Sequence, residues 1–145
     1  MLEYGIKIPG FLGVFMVDDL PKLNIVKRDI SFVVIHHEHA IAVYITENEI
    51  DILDPLGPGN FTTFGPLCEF LGTHLPCKLL RMNTKIQSNT SDKCAKFCLT
   101  FLFLRRDGES FYESVAKLNC DKPDSDKTVD FLFDQIFTVH SNRHH

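Results

Sequence analysis

The stretch from Lys93 to Arg105 (KCAKFCLTFLFLR) constrains this chain more than any other. Its composition reads as a helix, and Phe97, Leu99, Phe101, Leu102, Phe103 and Leu104 leave it apolar nearly all round. A helix without a polar stripe has no side to offer water, so it must be enclosed by the rest of the fold. Ser91 or Asp92 supplies the N-cap. The chain must therefore contain layers able to cover a central buried helix.

Those layers are legible upstream. Ile30 to Ile35 (ISFVVI) is a β-branched apolar run of strand length. After His36, His37 and Glu38, the run His39 to Thr46 (HAIAVYIT) resumes as a strand apolar on both faces. Glu47 and Asn48 make a tight turn, and Glu49 to Asp54 (EIDILD) alternates as the returning strand. Pro55, Gly57, Pro58 and Gly59 end it. A short helix is expected around Leu67 to Leu71, a short strand at Lys78 to Met82, and a polar loop from Asn83 to Asp92. Ser110 to Leu118 predicts a further helix, Cys120 to Lys127 a charged linker, and Val129 to Val139 an amphipathic segment. Residues 1–29, punctuated by Gly5, Pro9, Gly10, Gly13 and Pro21, read as turns around short pieces. Strands first and helices afterwards predict an α+β fold, a small antiparallel or mixed sheet packed on a buried central helix.

With 145 residues the expectation is one domain, residues 1–145, with a real core. A net charge of −4 argues against standing attraction to nucleic acid or anionic membranes. No apolar stretch approaches the ~20 residues of a membrane span, and the N-terminal residues do not resemble a secretory signal. Five cysteines at irregular spacing disfavour a disulfide framework and point to a reducing compartment.

The residues with chemical content converge on the start of the buried helix. A thiol reacts as its thiolate, and a helix N-terminus favours that anion. Cys94 falls in the first turn, whereas Cys98 lies one turn further in among apolar residues. Cys94 is thus the nucleophile candidate and Cys98 the core filler. Spacing alone leaves two buried core cysteines as an equal alternative. Gln87, in the preceding loop, carries an amide able to donate to an oxyanion. His39 starts one strand and Asp54 ends the next. In an antiparallel hairpin the two can meet, the carboxylate orienting the imidazole as in other triads. His37 competes for the role of base, as does His36. A metal site built from His36, His37, Glu38 and His39 is not expected, because side chains along an extended chain alternate faces. Cys68 and Cys77 lack a partner pair at zinc-site spacing. No cofactor is expected.

Gln87, Ser91, Cys94, Phe97 and Cys98, with the histidine-led strand HAIAVYI and Asp54-Pro55-Leu56-Gly57, resemble the adenain-type cysteine proteases. These adenovirus-like maturation proteases are related to the ubiquitin-like-protein (SUMO) proteases of cells. Gly13-Val14-Phe15 and Asp19-Leu20-Pro21 are similar to the N-terminal segment of small members, and the likeness spans residues 11–106. Two positions depart from the family pattern: Ala40 stands where Trp is usual, and Ala95 where Gly is usual. Lys93 beside the thiol is also unusual. The resemblance implies a papain-like α+β fold of the adenain type, with a His39–Asp54–Cys94 triad and Gln87 as oxyanion donor. It implies a cysteine endopeptidase cleaving viral precursor proteins at Gly-containing sites, in the host nucleus or cytoplasm and in the virion. The alternatives are an isopeptidase acting on ubiquitin or SUMO tails, or a catalytically weakened peptide-binding module of the same fold. In the family an activating viral peptide is tethered through a cysteine upstream of the glutamine, and Cys77 lies in the comparable region. The acidic net charge weighs against the family's stimulation by DNA.

Overall fold

A computed structural model describes residues 8–22, 29–36, 39–55, 65–75, 79–82, 94–118 and 125–138. Its centre is a five-stranded sheet in the order β1-β2-β3-β4-β5. The strands are β1 (Phe11–Met16), β2 (Ile30–His36), β3 (His39–Ile45), β4 (Glu49–Leu53) and β5 (Leu79–Met82). The helices are α1 (Gly65–His74), α2 (Cys94–Arg106), α3 (Phe111–Leu118) and α4 (Ser125–Phe133), the last continued by one π-helical turn, Asp134–Thr138. The architecture is α+β.

The β2–β3–β4 meander is antiparallel, as the β-branched runs and the Glu47-Asn48 turn predict. The turn closes through Thr46, whose amide donates to the Glu49 carbonyl at 2.9 Å. The outer strands settle which kind of sheet it is. β1 joins β2 in parallel and β5 joins β4 in parallel, so of the two expected arrangements the sheet is the mixed one. β1 and a 3-10 turn at Val17–Lys22 are short pieces in the turn-rich region 1–29, whose strand character the sequence did not single out. The glycines there hid a strand: the β1 register shifts between Phe11 and Val14, and Gly13 sits at that irregularity. At the other end of the chain, α4 starts at Ser125, inside the expected linker.

Strand alternation divides the interior into two layers. Ala40, Ala42 and Tyr44 of β3 and Leu53 of β4 join Phe97, Cys98, Phe101 and Leu102 of α2, with Phe111, Val129 and Phe137 closing the layer. Ile41, Val43, Ile45, Ile50 and Ile52 point the other way, onto Val17, Leu20, Leu67, Phe70 and Leu71. This double cover is why β3 reads apolar on both faces. α2 buries Phe97, Cys98, Leu99, Phe101, Leu102 and Leu104, as its all-round apolarity requires. Each large side chain so buried contributes roughly 1.5–3 kcal/mol.

α2 ends on Gly108, whose φ of 103° suits a residue without Cβ. The Asp107 and Glu109 amides donate back to the Phe103 and Leu104 carbonyls at 2.9 and 3.0 Å. Ser110 then caps α3, its hydroxyl accepting from the Glu113 amide at 3.0 Å.

Candidate active site

The hairpin brings His39 and Asp54 together. His39 opens β3, Asp54 follows β4, and the register Ala42↔Leu53 sets them diagonally across the end of the pair. Nε2 of His39 lies 2.7 Å from Oδ1 of Asp54. The carboxylate is fully buried, while the imidazole keeps 16% of its side-chain surface exposed. A carboxylate without access to water needs a partner, and an imidazole nitrogen 2.7 Å away can supply its N–H. With Nε2 committed to the carboxylate, proton exchange with a nucleophile falls to Nδ1. By strand alternation the pair shares the face of Ile41 and Ile52.

Three contacts locate the C-terminal end of α2, which packs along β3. Arg105 reaches Asp51 of β4, its Nη2 at 2.7 Å from Oδ2, and its guanidinium stands 4.8 Å from the centre of the Tyr44 ring. Tyr44 and Asp51 face each other across β3 and β4. Arg106 lies 4.0 Å from Asp29, immediately before β2. Arg106, Asp107 and Phe103 share a cleft of about 250 Å³ with Pro9, just before β1. The helix C-terminus therefore sits where β3 ends and where β1 and β2 begin. Cys94 is eleven positions back along the helix, ~16 Å at 1.5 Å per residue. His39 is five positions back from Tyr44 along β3, also ~16 Å at 3.3 Å per residue. The start of α2 and the His39–Asp54 pair thus belong to the same end of the molecule.

The first turn of α2 contains no acidic side chain. Acidic residues are favoured at such positions, and their absence leaves the positive end of the helix dipole available to another anion. Lys96 is held there by Asp130 of α4, 2.9 Å away, and lies 5.2 Å from the Phe133 ring centre. Cys98 is fully buried in the core. Cys68 lies on the exposed side of α1, and partial burial of its sulfur pushes its thiol pKa up. Gln87, Ser91, Lys93, His37, Glu38 and Cys77 lie outside the described residues, as do Leu56 and Gly57. His36 ends β2, opposite His39 in the register. Among the described residues no group of three or more His, Cys, Asp or Glu side chains gathers as a metal site. No helix there is long and apolar enough to cross a membrane.

One buried cluster has no counterpart in the sequence reading. Asp51, fully buried, accepts from both Arg81 of β5 and Arg105 of α2. Arg81 donates through Nε at 2.7 Å and Nη2 at 3.1 Å, and also meets Glu49. The hydrogen bond to Asp51 raises the Arg81 pKa further above its already high ordinary value. The Arg81 guanidinium stands 5.2 Å from the Phe111 ring centre, and Arg105 Nη1 donates to the Glu109 carbonyl at 2.6 Å. The alternation of EIDILD suggests a wet face at Asp51. The available signal was two arginines, each one residue before the end of a largely apolar segment.

No protein-family model matches the sequence, and no curated protein does. Among solved structures, the fold is similar to the central domain of the uncharacterized Lpg1148 protein from Legionella pneumophila. The TM-score is 0.53 at 10% sequence identity, over 92% of this chain and 89% of that one. At that identity the likeness concerns the fold alone.

Proposed function

We propose that this chain is a cysteine peptidase with a papain-like fold of the adenain type. The observation that carries the reading is the 2.7 Å contact between His39 and buried Asp54; the lengths of α2 and β3 support a start of α2, with Cys94, toward the same end of the sheet. In the proposed reaction the Cys94 thiol passes its proton to Nδ1 of His39, and the thiolate attacks the scissile carbonyl. Asp54 holds the ring and balances the imidazolium. Gln87 and backbone amides at the helix start donate to the oxyanion. The imidazolium returns the proton to the leaving amine, and water then hydrolyses the thioester. Because strand alternation puts His39 on the face away from α2, this reaction requires Cys94 to reach it around the end of the sheet rather than through it. The substrate class is a protein or peptide with glycine near the cleaved bond, which would suit viral precursors.

Purified Cys94→Ala and Cys98→Ser proteins, assayed with Gly-containing precursor peptides and with Gly-Gly tails bearing an electrophile, test this. Cys94→Ala is expected to lose all cleavage and labelling, and Cys98→Ser to keep most of both. Undiminished turnover by Cys94→Ala refutes the assignment. Labelling confined to the Gly-Gly tails replaces the endopeptidase with an isopeptidase.

A further inference from the structure

We propose that the Asp51–Arg105 bond is a positioning device that sets where the start of α2 stands relative to the His39–Asp54 pair; the inference rests on the peptidase reading above. The two partners lie on the elements that carry the two halves of the site. Asp51 is three residues before Asp54 on one continuous segment, and Arg105 shares its helix with Cys94. Apart from the solvent-exposed Arg106–Asp29 pair, 4.0 Å apart, the remainder of the contact between α2 and the sheet is apolar: Phe97, Cys98, Phe101 and Leu102 against Ala40, Ala42, Tyr44 and Leu53. Such a surface resists separation well but resists axial sliding poorly, since hydrophobic burial is non-directional.

The guanidinium fork supplies the missing direction. Arg105 approaches Oδ2 of Asp51 through Nε at 2.9 Å and Nη2 at 2.7 Å, and its plane is backed by Tyr44. Charge-assisted contacts of this kind add geometric specificity as well as energy. A slip of one residue along the helix would move its start by ~1.5 Å, and a misplacement of ~1 Å at reacting groups can cost about 10²-fold in rate. Arg81 provides an internal comparison. It binds the same carboxylate but belongs to β5, at the sheet edge, and is not part of the helix that carries Cys94.

The experiment measures alkylation of each cysteine by iodoacetamide from pH 5 to 9, with thermal unfolding, in the full chain and in Arg105→Lys and Arg81→Lys. Both substitutions keep the charge and lose the fork. Arg105→Lys is expected to slow Cys94 alkylation at neutral pH roughly tenfold and to move its pH midpoint upward. Arg81→Lys is expected to change Cys94 by less than about twofold, although both variants unfold at lower temperature. Should Arg105→Lys not fold, Arg105→Gln is judged by the same comparison. A folded Arg105 variant with the wild-type rate and midpoint overturns the inference, as does equal slowing by both arginine substitutions. A wild-type Cys94 that reacts no faster than an ordinary thiol instead overturns the peptidase reading, and the inference with it.

Discussion

Replacing Asp51 by Asn tests the buried ionic cluster without reference to function. The side chain is fully buried and faces two guanidinium groups. Asn preserves its shape but removes the charge. Arg81, 23% exposed and still paired with Glu49, can relax toward water. Arg105, 11% exposed, has less room to do so. Breaking a buried pair by removing one partner costs about 3–5 kcal/mol, and the partial relief at Arg81 places this case near the lower end, about 3 kcal/mol. That is a large share of the ~5–15 kcal/mol of a typical domain. At about 2–4 °C per kcal/mol for a chain of this size, the melting temperature falls by on the order of 10 °C. Urea denaturation followed by far-UV circular dichroism should show a lower midpoint at an unchanged m-value. A companion variant, Asp51→Leu with Arg81→Leu and Arg105→Met, replaces the whole cluster by apolar side chains and should recover most of the loss. If Asp51→Asn costs less than about 1 kcal/mol, a surface-pair value, Asp51 is not the counter-ion of both arginines.

Two further outcomes follow from the same geometry. Cys68, although exposed, should alkylate more slowly at neutral pH than an ordinary thiol, because a raised pKa lowers its thiolate fraction; its rate should approach the ordinary value only as the pH rises further, read by peptide mapping. Ala40→Trp, which installs the residue usual in the adenain-type pattern, should destabilise by about 1–3 kcal/mol in urea melts. Ala40 is buried in the layer beneath α2, so an indole there would overpack it; unchanged stability would mean the layer holds more space than its packing implies.

The hydrophobic pattern carried much of the architecture. β3 is apolar at both parities because both faces of the sheet are covered, and α2 is apolar all round because it lies under the sheet and against α4. Local chemistry also placed the Glu47-Asn48 turn, and the hairpin connection was enough to pair His39 with Asp54. Strand pairing between distant segments was different. That β1 and β5 join the sheet in parallel depends on contacts across loops, to which a local pattern is blind. The same limit hid the burial of Asp51. Its residue type and strand parity suggest water, but β5 and α2 each bring an arginine over it. Sequence periodicity thus determined which residues must leave water and which local turns form, since those preferences are set by neighbours along the chain. Only the tertiary structure decided the order of the strands, the direction of α2 along the sheet and the partners of Asp51, because charge pairing and strand register depend on groups that sequence separation keeps apart.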